Sequence, residues 1–161
     1  MKKRMILIFT LALAGIFGSI LLFGIILPGG ASDGNYSKKL IIESGTERHE
    51  FMVEVADTIV SRTRGLSGRA GLKENEGMLF VFGSPDMHGF WMKDMKFPID
   101  IVWIRGEKIV GFAENTMPEP GKSLLNLRVY YSPEPADRVL EIKAGLVEKF
   151  GLKIGDTVRV I

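Results

Sequence analysis

Between His88 and Asp100 the sequence packs His88, Trp91, Lys93, Asp94 and Asp100 into 13 residues, interrupted by Gly89 and Pro98. A tryptophan beside a lysine and two carboxylates can line a ligand pocket, the ring as a stacking platform and the charges as polar anchors. Strand alternation through Phe90-Trp91-Met92-Lys93 puts Trp91 and Lys93 on one face. Asp94 or Asp100 serves as a general base where burial lifts its pKa, with Lys93 or an arginine stabilising developing negative charge. The same residues also admit a structural reading. In that reading Trp91 is core, Lys93 is solvated, and Asp100 bonds backbone at the turn after Pro98.

A second group, Arg62, Arg64 and Arg69, carries forks suited to carboxylates and phosphates. If Thr58 to Gly65 is helical, Arg62 and Arg64 point in different directions, and exposed arginines on a capped helix are the alternative. We take Trp91, Lys93, Asp94, His88, Arg64 and Arg69 as the candidate ligand-binding set, with Asp94, Asp100 and Lys93 as catalytic candidates.

Metal chemistry has little to work with. His49 and His88 are the only histidines, and there is no cysteine, so disulfides, thiolate catalysis, cysteine zinc sites and a lipid-bearing cysteine anchor are excluded. Met87, Met92 and Met95 lie near His88, a set suited to copper(I), although methionine in a β-rich core is commonly filler. No metal or other cofactor is implied. The stretch Gly65-Leu66-Ser67-Gly68 lacks the spacing of a nucleophile elbow, and no phosphate-binding loop, dinucleotide fingerprint or zinc-protease helix is present.

The elements that must position these residues are mostly strands. Phe51, Val53 and Val55 alternate with Met52 and Glu54, and Met78 to Phe82 is a continuous apolar run suited to a strand covered on both faces. Ile99 to Ile104 and Lys108 to Ala113 flank a hairpin turn at Arg105-Gly106-Glu107. Val139 to Ile142 and Thr157 to Ile161 read as two more strands. Asp57 or Thr58 caps a short helix to about Gly65, and Ala144 to Phe150 forms another, stopped by Gly151. Short strands between Gly and Pro turns predict an all-β sandwich or small barrel.

Four blocks then stand in order: Arg62 to Arg69, Gly77 to Phe82, Phe90-Trp91-Met92-Lys93-Asp94-Met95 with Pro98 to Ile101, and Ala136 to Glu141 with Gly145 and Gly155-Asp156. Together they resemble the domain-of-unknown-function family 192 over nearly all of residues 40 to 161. The resemblance implies a compact β-sandwich related to jelly rolls in a small, often exported protein, and it implies no biochemical role. The family's tryptophan block usually ends Lys-Asn-Thr, whereas this chain has Lys93-Asp94-Met95.

Before that domain, Lys2-Lys3-Arg4 precedes an uncharged run from Met5 to Leu27, 23 residues long. As a helix rising ~1.5 Å per residue it would reach about 34 Å, enough to cross a membrane, with the basic tip cytoplasmic. Gly29 and Ala31 form a small-x-small pair, so a cleaved signal competes with a retained anchor. Residues 1–27 are therefore read as basic tip and transmembrane anchor or signal, 28–38 as a linker, and 39–161 as one domain. Asn35-Tyr36-Ser37 matches an N-glycosylation acceptor.

Of the 21 basic residues, 18 lie beyond the tip against 19 acidic ones, so the domain is near neutral and presents no charge case for nucleic acid. The expected function is a membrane-anchored or exported extracytoplasmic module that binds a small ligand or an envelope partner without catalysis. An envelope-acting hydrolase or lyase based on Asp94 or Asp100 is the alternative, and a methionine/histidine copper protein a third.

Overall fold

The structure, a computed structural model, describes residues 35–161. The anchor or signal expected at residues 5–27 and the first part of the linker lie outside the described residues. Among the described residues no helix is long and apolar enough to cross a membrane.

The chain runs β1 (Lys38–Ser44), β2 (Glu47–Ala56), α1 (Ile59–Arg64), β3 (Glu76–Asp86), β4 (Phe90–Trp91), β5 (Ile99–Arg105), β6 (Lys108–Thr116), β7 (Val129–Tyr130), β8 (Ala136–Lys143), α2 (Leu146–Lys149) and β9 (Thr157–Val160), with a 3-10 turn at Leu124–Asn126. Seven strands close into a barrel in the order β1-β2-β3-β8-β5-β6-β9, and β4 pairs with β7 in a separate two-stranded sheet. The all-β expectation holds, and of the two architectures it left open the sheet takes the barrel. The barrel closes between β6 and β9 through one residue pair, Lys108↔Thr157.

All barrel pairs are antiparallel except β2 with β3, which run parallel from Met52↔Glu76 to Ala56↔Phe80. A parallel pair cannot be joined by a tight turn, so residues 57 to 75 form a crossover containing α1. The predicted hairpin is β5–β6, where Gly106 takes φ 57 in the tight turn. Thr58, as expected, caps α1. Its hydroxyl accepts from the Ser61 amide at 3.1 Å, and the Ser61 hydroxyl accepts from the Thr58 amide at 3.0 Å.

Because side chains alternate along a strand, each central strand feeds two cores. One face of β3, β5 and β8 sends Leu79, Val102, Ile104, Leu140 and Ile142 into the barrel, where Leu146, Val147 and Leu152 join them from α2 and beyond. The opposite face sends Met78, Phe80, Ile99, Ile101, Trp103 and Val139 outward into a second core. That second core is completed by Leu66 and Leu72 of the crossover and by Phe90 and Met92. This explains the uninterrupted apolar run at residues 78–82, since both faces of that strand are covered. Fully burying each such side chain contributes roughly 1.5–3 kcal/mol.

Candidate functional site

The outer core does not close completely. Between the strand face and its cover lies a cavity of about 230 Å³. Phe80 and Phe82 of β3 and Phe90 and Trp91 of β4 supply aromatic walls, α1 contributes Arg62, and Glu141 of β8 lies beneath them. Gly65 ends α1 at φ 50 and ψ −138, a conformation that side-chain-bearing residues rarely adopt. A Cβ there would meet the Phe80 ring at 3.4 Å.

Glu141 is the unexpected member. It is 5% exposed, its cross-strand neighbours are Met78 and Ile101, and it makes no hydrogen bond or ion pair with any described residue. Burial pushes its carboxyl up to about 8, with the Arg69 guanidinium pulling the other way. A carboxyl in this state is held largely as the neutral acid at pH 7, able to donate one hydrogen bond and accept another.

Arg62 is fixed from one end. Its Nη1 donates to the carbonyls of Asp57 at 2.7 Å and Val81 at 2.8 Å, and the guanidinium lies 5.2 Å from the Phe82 ring centre. Nε and Nη2 have no acceptor among the described residues. His88 stacks on the same Phe82 ring, with centroids 3.5 Å apart and planes 12° apart. Trp91 is 48% exposed at the cavity, so it is not a core residue.

The residues singled out in the sequence therefore divide. The cavity brings together His88 and Trp91, with Arg62 in place of its neighbours. Alternation holds through Phe90-Trp91-Met92-Lys93, since Phe90 and Met92 are buried while Trp91 and Lys93 face outward. Yet Lys93 and Asp94, paired with one another, border a separate cleft of about 90 Å³ with Glu119 and Lys122. Asp94 takes φ 55, a left-handed backbone that Asn and Asp tolerate better than most residues. That accounts for an Asn or Asp at this position without a ligand.

Asp100 is fully buried, and its two carboxylate oxygens accept from the amides of Asn115 at 2.8 Å and Val147 at 2.9 Å. With both oxygens engaged and sealed from solvent, it has no access to a substrate proton, so the general-base expectation for Asp100 gives way to a structural one. Arg69 is likewise committed. It forms a two-pronged pair with Glu54, one contact at 2.7 Å, with both side chains about 15% exposed or less. Arg64 is exposed at the end of α1, outside the cavity. Of the methionines near His88, Met92 is buried with its sulfur accepting from the Thr116 hydroxyl at 3.4 Å, while Met87 is exposed. Among the described residues no group of three His, Asp or Glu is placed to hold a metal.

Residues 40–160 match the model of the DUF192 family, described as "Uncharacterized ACR". The chain belongs to this family. Among solved structures, the chain is similar to a protein of unknown function from Novosphingobium aromaticivorans DSM 12444. It is 31% identical, with a TM-score of 0.68 over 75% of this chain and 83% of that one. A proposed transcription regulator from Sinorhizobium meliloti 1021 is 30% identical, with a TM-score of 0.70 over 78% of this chain and 95% of that one. Among curated proteins none matches the chain.

Proposed function

We propose that this DUF192 protein is a non-catalytic module that binds a small ligand outside the cytoplasm, held at or exported across the membrane by residues 5–27. The observation that carries the binding reading is Glu141, a carboxyl 5% exposed and without a hydrogen-bond or ion-pair partner among the described residues, opening on an aromatic-walled cavity. Burying an unsatisfied carboxyl costs on the order of 1–3 kcal/mol or more. A fold that only needed to be stable would place an apolar residue between Met78 and Ile101. A ligand donor that meets the carboxyl offsets the cost.

The cavity is small beside the ~300–1,000 Å³ of drug-sized sites, which suits a metabolite-sized ligand. Among the described residues Glu141 is the one carboxylate lining it, whereas hydrolysis of glycosidic bonds ordinarily uses a pair. Binding is therefore favoured over the hydrolase alternative, and that alternative now rests on Glu141 instead of Asp94 or Asp100.

The chain has two tryptophans, Trp91 at the cavity and Trp103 buried 1% exposed. Ligand entry is thus readable as a change in Trp91 emission, with the Trp91→Phe variant as the blank. We expect saturable quenching or shift by a small polar metabolite in the full-length protein, lost in Glu141→Ala. A metabolite screen that leaves emission and thermal stability unchanged throughout would remove the reading.

A further inference from the structure

The cavity carries two unlike polar groups that do not neutralise each other. Arg62 enters from α1 and Glu141 from β8, and both line the same space of about 230 Å³. They form no ion pair with one another. Each is held in place by something other than a charge partner. Arg62 is fixed by the Asp57 and Val81 carbonyls through Nη1 alone, and its remaining guanidinium N–H groups stay open for an anion. Glu141 is fixed by its strand position between Met78 and Ile101. Arg69 does not compete for the ligand, because its fork is occupied by Glu54.

We infer that the ligand is a small zwitterion of the amino-carboxylate class, with its carboxylate on the Arg62 guanidinium and its ammonium on the Glu141 carboxylate. This rests on the binding reading above and specifies it. An anion alone would pair with Arg62 and take at most a hydrogen bond from the neutral Glu141 acid, with no charge partner for the Glu141 carboxylate. A cation alone would pair with Glu141 and leave the Arg62 guanidinium without an anion. A neutral polyol satisfies Glu141 but gains no charge-assisted bond at Arg62. A molecule bearing both charges forms a charge-assisted bond at both groups, which neither single-charge ligand does. Phe80, Phe90 and Trp91 then receive an apolar or aromatic body, and ring faces turned toward an ammonium add attraction. When the ammonium arrives, the Glu141 proton leaves to solvent and a carboxylate–ammonium pair replaces the neutral acid, so charge balances within the cavity.

The test uses the full-length protein and three probes that share one body: phenylalanine, phenethylamine without the carboxylate, and 3-phenylpropionate without the ammonium. Glucose serves as a neutral control, and calorimetry or Trp91 emission is the readout. Phenylalanine is expected to bind at least about tenfold tighter than either single-charge analogue. Arg62→Gln should erase its advantage over phenethylamine, and Glu141→Gln its advantage over 3-phenylpropionate. This pattern of selective losses does not arise from misfolding, which weakens all probes alike. If phenethylamine, 3-phenylpropionate or glucose binds as tightly as phenylalanine, the zwitterion inference is overturned while the binding reading stands. If no probe binds and glucose also fails, the inference falls, and failure of the wider metabolite screen takes the binding reading with it.

Discussion

Asp100 and Val147, 47 residues apart in the chain, are joined by a 2.9 Å hydrogen bond from the Val147 amide to the Asp100 carboxylate. Val147 stands in the first turn of α2, whose N-cap is Gly145 and brings no side-chain acceptor. The cap is therefore supplied from β5, on the strand face that also points Val102 and Ile104 into the barrel. The other oxygen takes the Asn115 amide, at a point where the β5–β6 register shifts and Asn115 turns to φ 49. One carboxylate thus joins a helix and a bulged strand to the barrel end.

Replacing Asp100 by Ala leaves two amides without their acceptor, the Val147 amide in a buried site. We expect a loss of about 2–5 kcal/mol in chemical denaturation. Asp100→Asn keeps one acceptor oxygen and should lose less. Equal losses for the two variants would argue against the paired-acceptor role.

Arg69 and Glu54 form a two-pronged pair with little exposure. Removing either partner alone strands a desolvated charge, so Arg69→Ala and Glu54→Ala should each cost roughly 3–5 kcal/mol. The double variant should recover a substantial part. A double-mutant cycle that sums additively would show that the pair contributes no coupling.

Glu141 gives a pH signature. Its carboxyl is raised in the folded protein to about 8 from an ordinary 4.5, so the folded state holds a proton that the unfolded chain releases. Its favourable contribution is complete below about pH 4.5 and is lost as pH rises through about 8. The groups around it are Arg69, whose attraction opposes the shift, and Arg62 and His88 across the cavity. Glu141→Gln carries no such proton. Relative to wild type it should gain stability from about pH 5 to about pH 8 and then level off, and a parallel pair of curves would contradict the raised value.

Trp91 is half exposed, so Trp91→Ala should move the melting temperature little while weakening ligand binding by about tenfold or more. Asp94, exposed and paired with Lys93 outside the cavity, separates the two clefts. Asp94→Asn should leave both binding and stability near wild type, because Asn also tolerates the left-handed backbone. A loss of binding in Asp94→Asn would shift the site toward the smaller cleft.

The proposed placement outside the cytoplasm predicts that residues 35–161 are digested by protease added to intact cells, while a tag before Lys2 is protected. Digestion of the tag with protection of the domain would reverse the orientation.

Much of the scaffold was legible because local chemistry and tertiary structure agree. Thr58 and Gly65 bound α1, Gly106 makes the hairpin, and the 78–82 run reports a strand covered twice. The parallel β2–β3 pairing was not legible, because nothing in either strand encodes a partner's direction. Asp100 was legible only as a choice between base and backbone acceptor, and the distant amide of Val147 decides it. Glu141 went unnoticed because a lone Glu in Val139-Leu140-Glu141-Ile142 looks like the solvent side of a half-exposed strand. That side is covered here by the crossover and the β4 segment. The available signal was a single charge inside the apolar part of a central strand.

The parallel pairing of β2 with β3 has a consequence for how the cavity is built. It obliges residues 57 to 75 to travel across the outside of the barrel, and that detour forms part of the cavity's cover through Arg62, Gly65 and Leu66. The barrel interior draws none of its core from the detour. Exchanges in this segment away from Leu66, Leu72 and Arg69 can therefore reshape the cavity while leaving the barrel interior untouched. The barrel interior and the cavity's outer cover thus draw on different stretches of the chain, although Leu66, Leu72 and Arg69 tie the cover to the outer core and to Glu54.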